Sequence, residues 1–179
     1  MYLDLDLHFS DAVSQAFAGS ASGQILTLSV HHSAPGFFPV SHLAALPDPQ
    51  PSDPYTLSIP LQRGASDKTF YRIWTNCVES VKNAFNPDFV VVQCGVDGLA
   101  GDPCGIWNWS LGASEGSFGW CISKILAWNC KTLFLGGGKQ FVFFFKSYCT
   151  GSIELVIGGY DSPNVARAWS YISALAVCN

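Results

Sequence analysis

Phe89-Val-Val-Val-Gln-Cys-Gly-Val-Asp97 is an almost unbroken apolar run that finishes on a single carboxylate. A strand with one wet face alternates apolar and polar residues, whereas a parallel strand covered on both faces reads as continuous. The run therefore predicts a central parallel strand over 89–93, and parallel strands need crossover connections, usually helical. The flanking sequence supplies them. Upstream, Phe70, Ile73, Trp74, Cys77, Val78, Val81 and Phe85 recur at helical spacing, with Ser66 and Asp67 placed to cap the start. Downstream, Phe118, Cys121, Ile122, Ile125 and Leu126 form a second apolar stripe ahead of a strand at 132–135.

The same alternation extends to both ends. Leu3, Leu5 and Leu7 alternate with Asp4 and Asp6, a strand pattern, and a short helical segment follows around Asp11–Phe17. Ile25–Val30 reads as the next strand, residues 46–54 as a proline-rich surface loop, and Tyr55–Ile59 as an edge-type strand stopped by Pro60. A last helix begins near Asn164 and carries Val165, Ala168, Trp169 and Ile172. Strands alternating with helices predict an α/β fold of three layers, α/β/α, around a mostly parallel sheet with right-handed crossovers.

Composition excludes several functions. A chain of 179 residues, 49% hydrophobic and 12% charged, suffices for one domain with one core. A net charge of −4, with a pI near 5.4 and scattered basic residues, leaves no footprint for direct nucleic-acid binding. Seven cysteines form no Cys-x-x-Cys pair and are odd in number, so reduced cysteines in an intracellular protein are expected, with Cys77 and Cys121 on apolar helix faces and Cys94 in the buried strand. No secretory signal is read at the N-terminus. The apolar run Phe141–Phe145 is far short of the roughly 20 residues of a membrane span, so no membrane association is expected.

Three strand-like runs end in the donors of one metal site. They are Tyr2–His8 with Asp6 and His8, Phe89–Asp97 with its carboxylate, and Thr132–Gly138 with a glycine-rich turn. Ligands of open α/β sheets gather at the carboxyl ends of strands, so this set predicts a catalytic divalent metal. Each residue also has an ordinary reading: Asp6 as a solvated carboxylate, His8 as a hydrogen-bonded core histidine, Asp97 as a helix cap.

Asp4–His8, Pro35–Pro39, Val91–Asp97, Gly101–Pro103, Leu135–Gly138, Gly158–Tyr160 and Asn164–Trp169, in that order, resemble the C-terminal half of a class I histone deacetylase. These are zinc-dependent lysine deacetylases of the arginase-like α/β fold, and the resemblance covers nearly all of the chain except 139–158. It implies hydrolysis of acetyl-lysine in histone tails or other proteins, with Asp6, His8 and Asp97 holding Zn2+ (Fe2+ being an alternative occupant). Tyr160 would hydrogen-bond the developing oxyanion. Phe38 would line the tunnel for the lysine methylenes, Cys104 would stand at an apolar rim position, and Gly136, Gly137, Gly138 and Gly159 would form the loop before Tyr160. Asp4, Ser29 and the main-chain carbonyls of Asp6 and His8 would hold a structural K+ or Na+. Asp4 and Asp11 resemble the carboxylates that orient the family's two general-base histidines. A nuclear or cytoplasmic location follows from the family alone.

The departures refine this expectation. The chain starts at the metal-ligand strand, so the family's N-terminal half, with its histidine pair and several strands, is expected to be absent. His31-His32 does not fall where that pair would be. The isolated chain is therefore expected to expose apolar strand edges and faces, to dissolve poorly and to lack activity on its own. Phe9 stands where the family usually has a second histidine, and Ser10 replaces a glycine. Pro103 and Pro163 occupy the positions of two inositol-phosphate-binding arginines, so no inositol phosphate is expected as a partner. Removing Lys139–Gly158 would join Gly138 to Gly159 and restore Leu-Gly-Gly-Gly-Gly-Tyr. Codons for Gly138-Lys139 and Ile157-Gly158 fit intron ends in frame. The segment 139–158 is read as a retained intron or, alternatively, a loop insertion that would separate the glycine turn from Tyr160. Two other functions remain open: a non-catalytic truncated product or pseudoenzyme, and an acetylpolyamine amidohydrolase-like metallohydrolase.

Overall fold

The structure is a computed structural model, and it describes residues 1–20, 23–46, 53–136, 144–146 and 159–178. The chain runs β1 (Tyr2–Asp4), α1 (Asp11–Phe17), β2 (Thr27–His32), a 3-10 turn (His42–Ala44) and β3 (Thr56–Leu61). It continues through α2 (Asp67–Ile73), a wide helical turn (Trp74–Val78), α3 (Glu79–Phe85), β4 (Phe89–Gln93), α4 (Phe118–Ala127), β5 (Lys131–Leu135), β6 (Phe144–Lys146) and α5 (Ser162–Cys178). The strands form one sheet in the order β3-β2-β1-β4-β5-β6. The first five are parallel, and β6 adds antiparallel to β5. The predicted α/β architecture with a mostly parallel sheet is thus what forms, and β1 and β4 lie side by side at its centre.

Register explains the two faces. Leu3 sits opposite Leu28 and Val92, and Val92 opposite Phe134. All four are 0–1% exposed in one core with Phe70, Trp74, Phe118 and Ile122. Phe70 stacks on Trp109 with ring centroids 3.5 Å apart. The alternate positions, Tyr2, Val91, Leu133 and Leu135, are half-buried, with buried Asp4 and Gln93 between them. Apolar residues on this sheet face are thus only half covered, whereas β2 is buried along its whole length.

Three local readings are corrected. Pro60 lies inside β3 opposite His31, where the sequence stopped the strand. At the sheet edge one side of a strand has no ladder, so a missing N–H costs nothing there. The stripe from Phe70 to Phe85 is not one α-helix, because Trp74–Val78 closes i→i+5. Such a turn advances less per residue, which brings Val78 into line with Phe70 and Trp74 and carries Cys77 off that line. Cys77 is accordingly exposed, whereas Cys94 and Cys121 are buried as expected. The glutamate after the wide turn, Glu79, accepts from the indole nitrogens of Trp74 at 3.0 Å and Trp128 at 3.1 Å. No helix among the described residues is long and apolar enough to cross a membrane.

The segment 139–158 lies outside the described residues apart from the backbone of β6, as do Gly137 and Gly138. Phe70 anchors the core that fixes β4 against α2, and Phe70→Ala should destabilise the chain by about 3–5 kcal/mol. The check is a urea midpoint shift at unchanged slope; a loss under about 1 kcal/mol would show that the stack carries little.

Candidate metal centre

The β1 ladder ends at Asp4; Leu5 N–H still donates to the Gln93 carbonyl at 2.9 Å, and the Leu7 carbonyl still accepts from His32 N at 2.8 Å. For the N–H groups beyond Leu5, carboxylates replace carbonyls as acceptors. Asp6 N donates to Asp4 Oδ1 at 2.9 Å, Leu7 N to Asp97 Oδ1 at 2.9 Å, and His8 N to Asp6 Oδ1 at 2.8 Å. The main chain is satisfied only because these side chains are acidic, and the acids are held in place by the main chain. Leu5 and Leu7 meanwhile stay fully buried, so the alternation seen in the sequence persists after the ladder stops.

This bridging draws Asp6, His8 and Asp97 together, with one donor atom from each lying within 4.8 Å of the others. His8 Nδ1 is 2.8 Å from Asp97 Oδ2 and 3.2 Å from Asp6 Oδ1. Hydrogen bonds to Asp6 and Asp97 push its pKa up to about 10, against the opposing effect of burial. Burial raises Asp97 to about 6, with the His8 contact working the other way. Burial, followed by the charge of Asp6, raises Asp4 well above the carboxylate range. Two carboxylate oxygens and one imidazole nitrogen converging in a buried pocket suit a divalent zinc ion, which accepts O and N ligands. The shared His8 proton marks where positive charge belongs.

Around the triad the structure places the remaining expected residues unevenly. Tyr160 lies edge-on to His8, ring centroids 6.3 Å apart, and is 55% exposed. Burial and then the charges of Asp97 and Asp6 raise its pKa, keeping the hydroxyl a donor. Phe38 lies 6.4 Å from His8, 73% exposed, as a wall open to solvent. Cys104 is half-buried, and burial with Asp102 beside it pushes the thiol up to about 12, which leaves it an apolar rim group. Gly136 follows β5 half-buried, and Gly159 immediately precedes Tyr160. Asp4 and Ser29 are register partners on adjacent strands, and both are buried. Asp4 already accepts from the Tyr2 hydroxyl at 2.9 Å, and Ser29 Oγ lies 2.9 Å from His31 Nδ1. His31 and His32 are core residues, hydrogen-bonded to the carbonyls of Ala44 and Leu61 at 2.9 Å.

Asp11 opens α1 and lines, with Tyr2, Asp4, Asp6, Phe38 and Gln93, a cleft of about 390 Å³ beside the triad. The buried Oε1 of Gln93 has no hydrogen-bond partner among the described residues.

Three residues escaped the sequence reading. Phe37 stacks on His8 at 5.2 Å and 14°, closer than Phe38; an adjacent aromatic pair gives no sign of which ring meets the imidazole. A Cβ on Gly95 would collide with Asp6 Oδ2. Asp102 accepts from Tyr160 N at 2.9 Å, although Gly101–Pro103 entered the sequence reading only as one segment of the resemblance.

The histone deacetylase domain matches residues 1–141. This chain belongs to the histone deacetylase family. It is 36% identical over 177 residues to histone deacetylase 8 of Xenopus laevis, covering 99% of this chain and 46% of that protein. With histone deacetylase 8 of Xenopus tropicalis it shares 34% identity over 99% of this chain and 41% of the relative. With histone deacetylase 6 of Arabidopsis thaliana it shares 29% over 99% of this chain and 32% of that protein. The chain thus spans less than half the length of these relatives.

Because Gly95 leaves the space that the Asp6 carboxylate fills, Gly95→Ala should weaken zinc binding about 10- to 100-fold. Gly112→Ala, where nothing lies within 4 Å, serves as the control. Competition against a chromogenic chelator reads both; equal affinities would show that the Asp6 position does not need the glycine.

Proposed function

We propose that this deacetylase-family chain carries the metal-binding and oxyanion-facing part of a site for zinc-dependent hydrolysis of acetyl-lysine in histone tails or other proteins. The convergence of Asp6, His8 and Asp97 within 4.8 Å, with Tyr160 edge-on to His8, is the observation that supports it. Zinc bound to three protein ligands polarises a carbonyl and acidifies a bound water. The chain's own groups do the rest. Tyr160 donates its hydroxyl toward the acyl oxygen, and Phe37 and Phe38 flank the approach with apolar surface. The carboxylates supply negative charge that keeps His8 and the metal fixed.

One component is missing from this set among the described residues; of the four histidines, His42 sits exposed in the 3-10 turn and does not line the cleft beside the triad. General-base chemistry needs a group near neutral pKa within hydrogen-bond reach of the attacking water. His8 is committed to its two carboxylates, and His31 and His32 to the core. Beside the triad, Asp4, Asp6, Asp11 and the partnerless Gln93 oxygen line the cleft with acceptors. A proton-carrying base would be supplied by whatever fills that cleft, which is why the chain alone is read as metal-competent and inactive. This reading takes in a nuclear or cytoplasmic location, a K+ or Na+ at Asp4 and Ser29, and no inositol phosphate. A non-catalytic role for this exact polypeptide is favoured by the same absence of a base.

Zinc should raise the melting temperature by about 4 °C or more at a hundredfold excess over its dissociation constant. His8→Ala should abolish that rise. A zinc-chelating hydroxamate should bind the loaded chain, and Tyr160→Phe should weaken it about tenfold through one lost hydrogen bond to a charged group. Calorimetry decides both, and no zinc-dependent stabilisation would remove the proposal. Turnover of an acetyl-lysine peptide by the unaided chain would instead show that it contains its own base.

A further inference from the structure

Asp102 lies five residues beyond Asp97 on a tightly wound turn and is 5% exposed. Its two carboxylate oxygens serve two different parts of the site. Oδ2 accepts from the main-chain N–H of Tyr160 at 2.9 Å, and Oδ1 from that of Cys104 at 2.9 Å. The turn itself is stiff: Leu99 N donates to Val96 O and Asp102 N to Leu99 O, both at 3.1 Å, while Ala100 N donates to Trp109 O at 2.8 Å. A second tie joins the same turn to the start of α5, from Asn164 Nδ2 to Ala100 O at 3.2 Å. Gly159 is buried with φ +149°, a conformation that other residues rarely adopt, and this backbone presents the next N–H to Asp102.

We propose that Asp102 is the positioning residue for Tyr160, fixing it against the turn that carries Asp97 irrespective of the length of chain between Gly138 and Gly159. The argument rests on the reading of Tyr160 as the oxyanion donor, and it deepens that reading. A hydroxyl on a 55% exposed tyrosine is little constrained by packing, so its main-chain anchor sets where it points. A charged acceptor on a main-chain N–H is a strong anchor, and a buried carboxylate serving two N–H groups is held by both. The same carboxylate sets the Cys104 rim, so wall and hydroxyl move as one body with the metal-ligand turn. Tyr160 N–H and the start of α5 are both tied to the turn after Asp97; the expectation that 139–158 separates the glycine turn from Tyr160 falls outside the described residues.

The test uses the full zinc-loaded chain and amide hydrogen exchange followed by NMR. Asp102→Ala should speed exchange at Tyr160 and Cys104 about 10- to 100-fold, with Leu7 and Cys94 unchanged. Asp102→Asn keeps one acceptor and should release only one of the two amides. A chain lacking Lys139–Gly158 should protect the Tyr160 amide as the full chain does. With 3-fluorotyrosine at position 160, the fluorine resonance should move in Asp102→Ala at unchanged zinc affinity, which a general loss of stability would not produce. An unaltered Tyr160 exchange rate in both Asp102 variants, or release of Tyr160 by the deletion alone, overturns the proposal. If the alanine variant loses protection at Leu7 as well, the asparagine variant decides. Failure of the loaded chain to bind a hydroxamate, with the Tyr160 amide still released by Asp102→Ala, would support the anchor while removing the functional reading.

Discussion

Three carboxylates, those of Asp4, Asp6 and Asp97, are buried together where the central strands end, and the rest of the site follows from keeping them there. An unpaired buried charge is among the most costly features a fold can carry. The chain meets that cost locally: consecutive N–H groups of Asp6, Leu7 and His8 each point at one of the acids. That arrangement forces the backbone out of ladder geometry after Asp4, which in turn places His8 between Asp6 and Asp97. Hydrogen bonds to the two acids push the pKa of the imidazole up to about 10, so the site favours positive charge between them. A divalent ion would take the place of the imidazole proton, since metal ligands must be deprotonated to bind. The acids explain the glycine at 95 as well, because the carboxylate of Asp6 occupies the volume of its missing side chain.

Much of this was legible because periodicity reports burial. Phe89–Gln93 reads as a two-sided strand and is the central β4; Phe118–Leu126 reads as an amphipathic helix and is α4. The triad was visible for a topological reason, since parallel strands bring their carboxyl ends to one edge whatever separates them in sequence. Contacts that depend on side-chain direction were not visible. Cys77 has the right spacing for a buried face, and one extra residue in the Trp74–Val78 turn takes it out. Phe38 was favoured over Phe37, yet it is Phe37 that stacks on His8. The role of Asp102 arises from a hydrogen bond to a residue 58 positions away, which no local pattern encodes.

The two halves of the site differ in how they are held. Asp6, His8 and Asp97 lie on the segments after β1 and β4, adjacent strands fixed by the Leu3–Val92 layer of the core. Tyr160 rests on a loop contact and has more than half its surface in solvent. Positioning of the triad is thus tied to the global stability of the sheet, whereas positioning of the hydroxyl depends on the hydrogen bond from Tyr160 N–H to Asp102.

On the function proposed above, metal capture and turnover are separate properties. The donors that would hold zinc come from Asp6, His8 and Asp97 alone, and their second contacts lie within the same strands and turns. A base that takes a proton from water has a different requirement, a group near neutral pKa within hydrogen-bond reach of that water. The cleft lined by Asp4, Asp11 and Gln93 offers acceptors to orient such a group, and among the described residues that line it there is none. Zinc content therefore tests the triad and says nothing about hydrolysis. A preparation that binds metal tightly and leaves acetyl-lysine intact would match the proposed reading, in which the base comes from outside the described residues.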